Sequence, residues 1–176
     1  RVPGAWDPFE LAVRAVLGQQ VSVRAATTLA GRLAERFGTA VDLGPGLGRL
    51  FPAPAALADA PLEGIGLPGA RARTIRALAA AVAAGRLVLD ASRGAGELAA
   101  RLCALPGIGP WTAQYVAMRA FGEPDAFPAG DLGVRAALGN GAGPLPARQV
   151  EALAEAWRPW RAYAVMYLWR SLGGPA

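Results

Sequence analysis

A carboxylate standing by itself at Asp131, the aromatics Trp111 and Tyr115 some 20 residues before it, and the turn Leu105-Pro106-Gly107-Ile108-Gly109 are the residues best suited by type and spacing to do chemistry. The kind of chemistry is narrowed by what the chain lacks. It contains no histidine, and all 18 of its basic residues are arginine. Ser-His-Asp and Cys-His catalysis are therefore excluded, and acid–base work falls to carboxylates, tyrosines or water. Without lysine no lysine Schiff base can form on a carbonyl carbon. The single cysteine, Cys103, cannot make an internal disulfide, and zinc or iron–sulfur sites usually draw on several thiolates or imidazoles, so neither is expected.

The turn has a physical use of its own. Its two glycines reach backbone conformations closed to other residues, Ile108 can anchor it in a core, and Pro110 can start the next helix. Such a turn presents backbone N–H groups at a helix N-terminus, where the helix dipole also favours an anion such as a phosphate. Taken alone, it serves equally as a tight connection between two helices. Asp131, lying before Leu132-Gly133-Val134, is likewise an ordinary helix N-cap as much as a reactive group.

The elements that must position these residues read as helices. Asp7-Pro8-Phe9-Glu10 is a helix start, and Phe9, Val13, Val16 and Leu17 follow at helical spacing. Ser22 can cap a second helix whose apolar stripe is Ala25, Ala26, Leu29, Leu33 and Phe37, ended by Gly38. After a Gly/Pro loop from Gly44 to Pro54, helix fits 54–59, 70–84, 96–104, 110–121, 131–138, 146–157 and 160–172. Trp157 and Trp160 read as core residues flanking Pro159, and only Arg86 to Leu89 suggests a strand. The pattern predicts an all-α fold of short helices joined by Gly/Pro turns, with no repeat of fixed period. Gly64-Ile65-Gly66-Leu67-Pro68-Gly69 matches G-x-G-x-x-G, but no strand precedes it, so it reads as a helix-to-helix turn rather than a nucleotide loop.

At 176 residues the chain suits one unit, residues 1–176, or two small lobes sharing a core. No run approaches the roughly 20 apolar residues that cross a bilayer, so no membrane partner is expected. A net charge of +5 favours phosphate partners. The start, RVPGAWDPFE, has neither an initiator Met nor a signal-peptide core, which reads as a piece of a longer chain.

With DPFELAVRAVLGQQVS near the start, LPGIGPWTAQY in the middle and AEAWRPWRAYAVMYLW near the end, the chain resembles the helix-hairpin-helix (HhH-GPD) DNA glycosylase superfamily over nearly its whole length. Within it the resemblance is strongest to the bacterial alkylbase type, the 3-methyladenine glycosylases, in their helical catalytic part. That resemblance implies two helical lobes around a cleft, double-stranded DNA with alkylated bases as partner, and a monofunctional hydrolase that leaves an abasic site. It implies Asp131 as the catalytic aspartate and Trp111, Tyr115 and Trp169 as the base pocket. It also implies Gln20 as the wedge in the gap left by a flipped nucleotide, with Gln19 beside it, and DNA contacts at Gly107, Ile108, Gly109 and Thr112. Trp111 occupies the position where lyase relatives carry a lysine nucleophile. No organic cofactor follows, only a structural Na+ or K+ at the backbone carbonyls of Cys103, Leu105 and Ile108. A monomer in the bacterial nucleoid, with a β-rich domain upstream in the longer chain, completes the expectation. Pro128-Ala129-Gly130 precedes Asp131 where relatives often have Pro and a second acid, which leaves Asp125 as a rival carboxylate. A helix-hairpin-helix module that binds DNA without catalysis is the alternative from another class.

Overall fold

The computed structural model describes residues 1–42, 44–46, 48–90 and 94–173. Its helices are α1 (Pro8–Leu17), α2 (Val23–Phe37), α3 (Pro54–Ala58), α4 (Gly69–Ala83), α5 (Ala95–Cys103), α6 (Pro110–Phe121), α7 (Leu132–Leu138), α8 (Ala147–Ala154) and α9 (Arg161–Leu172), with short 3-10 turns at Leu62–Ile65 and Glu155–Trp157. The expected caps are in place. The Asp7 carboxylate accepts from the Phe9 N–H at 2.8 Å, and the Ser22 hydroxyl accepts from Ala25 at 3.2 Å. Each satisfies one of the backbone donors that a helix start leaves without a partner.

The helices enclose two hydrophobic cores. Phe9, Val16, Leu33, Ile75, Leu102 and Val116 belong to the first, which joins α1 through α5 to one side of α6. Met118, Phe127, Val134, Val150 and Val165 belong to the second, which joins the other side of α6 to α7, α8 and α9. Tyr115 packs against both. Helix α6 is thus the shared wall, and a residue at its N-terminal end can face groups from either lobe.

Three expectations need correction. No strand forms at Arg86 to Leu89: the chain bends at Arg86 and Leu87, and Leu87 buries against α4, its N–H donating to the Ala81 carbonyl at 3.0 Å. Trp160 is not core, since 58% of it is exposed, whereas Trp157 packs edge-on against Phe127. The last part of the helix expected over 146–157 tightens to a 3-10 turn from Glu155 onward. The Gly/Pro loop is closed by an antiparallel bridge between Ala40 and Arg49, although residue 47 lies outside the described part of it. The G-x-G-x-x-G segment is the turn into α4, with Gly66 left-handed at φ +85°.

Candidate active site

Helix α7 begins at Asp131, and the loop before it is held from several sides. The Phe127 N–H donates to the Gln114 side chain at 3.0 Å, the Asp131 N–H donates to the Pro128 carbonyl at 2.8 Å, and Asp125 is paired with Arg161 at the start of α9. The carboxylate that results has three donors. Oδ1 accepts from the Val134 N–H at 2.9 Å and from the Trp169 indole at 2.8 Å, while Oδ2 accepts from the Trp111 indole at 3.0 Å. Two carboxylate oxygens offer about four acceptor sites, so Oδ2 retains capacity for one more donor such as water.

The indoles that hold the carboxylate also build an aromatic wall. Trp111 stacks on Tyr115 with ring centres 5.5 Å apart, and Tyr115 meets Trp169 at 6.2 Å, tilted by 46°. All three are half-buried. The Arg119 guanidinium lies 5.9 Å from the Tyr115 ring centre. Gly133 allows Trp169 this close, because a Cβ there would stand 3.1 Å from Asp131 Oδ1 and 3.2 Å from Trp169 Cδ1. Asp131 and Trp169, 20 and 58 residues after Trp111, thus share one place with Trp111 and Tyr115 between the lobes.

The Leu105–Gly109 turn abuts this place through α6. Gly107 has φ +82°, and a Cβ on it would meet the Thr74 hydroxyl at 1.9 Å, so no side chain fits there. Ile108 is buried in the first core. Gly109 precedes α6, and the N–H groups of Gly109, Trp111 and Thr112 have no acceptor among the described residues. The Cys103 and Ile108 carbonyls accept no hydrogen bond among those residues, and Leu105 accepts one, from Ile108 at 3.2 Å. Those unused lone pairs suit a weakly charged, oxygen-seeking cation.

The turn between α1 and α2 faces the hairpin. Gln20 is exposed in a left-handed conformation, φ +55°. The Gln19 side chain donates both to the Gly107 carbonyl and to the buried Thr112 hydroxyl, each at 3.0 Å. The Thr112 hydroxyl is thereby occupied from inside the protein.

Asp125 stands apart from the aromatic wall. It pairs with Arg161 at 2.7 and 2.9 Å and with Arg158, and Glu155 joins the same arginines. Partial burial works against its charge, but the hydrogen bonds and charges of Arg161 and Arg158 outweigh it and hold the carboxyl below its ordinary range. Sequence reasoning missed this cluster, and it missed that both indoles donate to Asp131. No local spacing signals the cluster, because Asp125 lies 33 residues before Arg158 and 36 before Arg161, and the helix is broken between those arginines. Among the described residues no group of three or more acidic, Cys or His side chains could hold a metal ion, and no helix is long and apolar enough to cross a membrane.

A family model described as HhH-GPD superfamily base excision DNA repair protein matches residues 13–162. A Mycobacterium tuberculosis protein named as a probable bifunctional transcriptional activator/DNA repair enzyme AlkA is 47% identical over 99% of this chain, and the chain spans 36% of that relative's length. Escherichia coli DNA-3-methyladenine glycosylase 2 is 38% identical over 98% of this chain, which spans 61% of it. Among solved structures, a 3-methyladenine DNA glycosylase from Archaeoglobus fulgidus superposes with a TM-score of 0.79 at 30% identity, over 95% of this chain and 58% of that one.

Proposed function

The chain belongs to the HhH-GPD superfamily of base excision DNA repair proteins, and on that premise we propose that it is a monofunctional DNA glycosylase that flips alkylated purines out of double-stranded DNA and hydrolyses their glycosidic bond. The observation that carries the reading is Asp131, a carboxylate held by two indole N–H groups and a helix N–H beside three aromatic faces.

A stacked base is out of reach of any side chain, so the nucleotide must leave the duplex, and aromatic stacking offsets part of the unpairing cost. Alkylation at a purine ring nitrogen makes the base cationic. Trp111, Tyr115 and Trp169 then favour it over normal bases by cation–π attraction, about 0.5–2 kcal/mol per ring. A cationic base leaves without being protonated, which makes a site with no histidine sufficient. As the bond stretches, positive charge grows on the deoxyribose, and Asp131 stabilises it and orients the attacking water through the free side of Oδ2. Trp111 stands where a lyase would need lysine, so the abasic product is not cut. The free N–H groups at Gly109, Trp111 and Thr112 take a phosphate, the carbonyls of Cys103, Leu105 and Ile108 would hold a Na+ or K+ ion that adds positive charge to the hairpin, and Gln20 fills the gap.

The test is product analysis on methylated duplex DNA. Free alkylated base, with strands that break only on alkali treatment, is the expected result. Binding without base release would make the chain a non-catalytic module, and strands cut without alkali would overturn the monofunctional assignment.

A further inference from the structure

The amide of Gln19 joins two parts of the chain that are 88 and 93 residues apart, donating at 3.0 Å to the Gly107 carbonyl and at 3.0 Å to the Thr112 hydroxyl. The Gln19 backbone carbonyl accepts from Arg71 Nη2 at 2.6 Å, which ties the same residue to α4. Helix α4 also holds the hairpin from beneath, through Thr74 against Gly107. The next residue is Gln20, exposed, left-handed and with no side-chain hydrogen bond among the described residues. A non-glycine residue held left-handed costs of order 1–3 kcal/mol and persists where its neighbours fix it. The fixed neighbour here is Gln19, gripped at its side chain and at its carbonyl.

We propose that Gln19 is a positioning residue that makes one rigid unit of the Gln20 turn and the hairpin, so that the group entering the duplex and the group gripping its phosphate keep a set separation. The inference rests on the function proposed above, because it gives the two ends of the brace those roles. Extruding a nucleotide needs a push at the stack while the backbone is held elsewhere. If the two ends move independently, DNA binds but the base returns to the stack. Gln19 therefore acts on flipping and touches neither the base nor Asp131.

The experiment uses Gln19→Ala, with Gln19→Met as a second variant that keeps the side chain's length if the first fails to fold. Two readouts are taken: 2-aminopurine fluorescence beside the lesion, which reports flipping without needing chemistry, and single-turnover base release. The lesion is placed either in a fully paired duplex or opposite a mismatched base. The expected result is about a tenfold loss of both signals in the paired duplex, a much smaller loss opposite the mismatch, where unpairing costs less, and affinity for undamaged duplex within about twofold of wild type. Thr112→Val should reproduce part of the loss and add little to Gln19→Ala. Equal losses in both duplexes, a large loss of affinity for undamaged DNA, or no loss would each overturn the proposal. Absence of base release by wild type, with flipping intact, would overturn the glycosylase reading instead and leave the fluorescence test of the brace standing.

Discussion

Two indole N–H groups on one carboxylate give each tryptophan two separable duties. The ring face is available for stacking, and the Nε1 group fixes Asp131. Trp169→Phe keeps most of the aromatic surface and removes the donor at 2.8 Å. A hydrogen bond to a charged group contributes about 1.5–3 kcal/mol, so single-turnover base release should fall roughly ten- to hundredfold if the carboxylate loses its set orientation. Affinity for methylated duplex should change little, because stacking is retained. A variant that loses affinity and keeps its rate would show that Trp169 serves only the base. Neither indole bond was legible in the sequence, since both span tens of residues and depend on how the lobes pack; Asp131 as an N-cap was legible, from the residue type and the helical pattern after it.

The hairpin and the Asp125 joint stabilise the molecule independently of one another. Gly107→Ala forces a side chain into a left-handed position and against Thr74, and should cost at least about 1–3 kcal/mol, read as a lower midpoint in urea unfolding. Adding Thr74→Ala should recover part of it and leave the backbone cost. The Asp125 joint ties the loop before α7 to the start of α9. Its carboxyl is lowered from the ordinary 3.8, so its stabilisation is fully present above that value and is lost as the pH falls below it through the lowered native value. Asp125→Asn should therefore be less stable than wild type in urea at pH 7, and the gap should close as unfolding is repeated below pH 3.8. Helices were the most legible elements, because Asp7-Pro8, Ser22 and Gly38 mark their ends and apolar spacing marks their buried faces. The strand reading at Arg86 to Leu89 failed because a strand requires a partner, and α4 offered Leu87 a buried place instead. The braces of Gln19 and Asp125 could not be read ahead, because their partners are set by packing and not by local spacing.

For the molecule as a whole, the site exists only where the two cores meet. Trp111 and Tyr115 come from α6, Asp131 from the start of α7 and Trp169 from α9, and α6 serves both cores at once. This meeting place is organised around one carboxylate, Asp131. Asn is as good an N-cap as Asp, so Asp131→Asn preserves the start of α7 while removing the charge. The most direct measurement is single-turnover release of alkylated base from methylated duplex DNA by wild type and Asp131→Asn, with DNA binding followed on the same samples. A loss of roughly a hundred- to a thousandfold in rate, with binding retained, is the result expected when a preorganised charge at the reacting centre is removed. A variant that binds DNA and releases base at the wild-type rate would show that Asp131 is not the catalytic group.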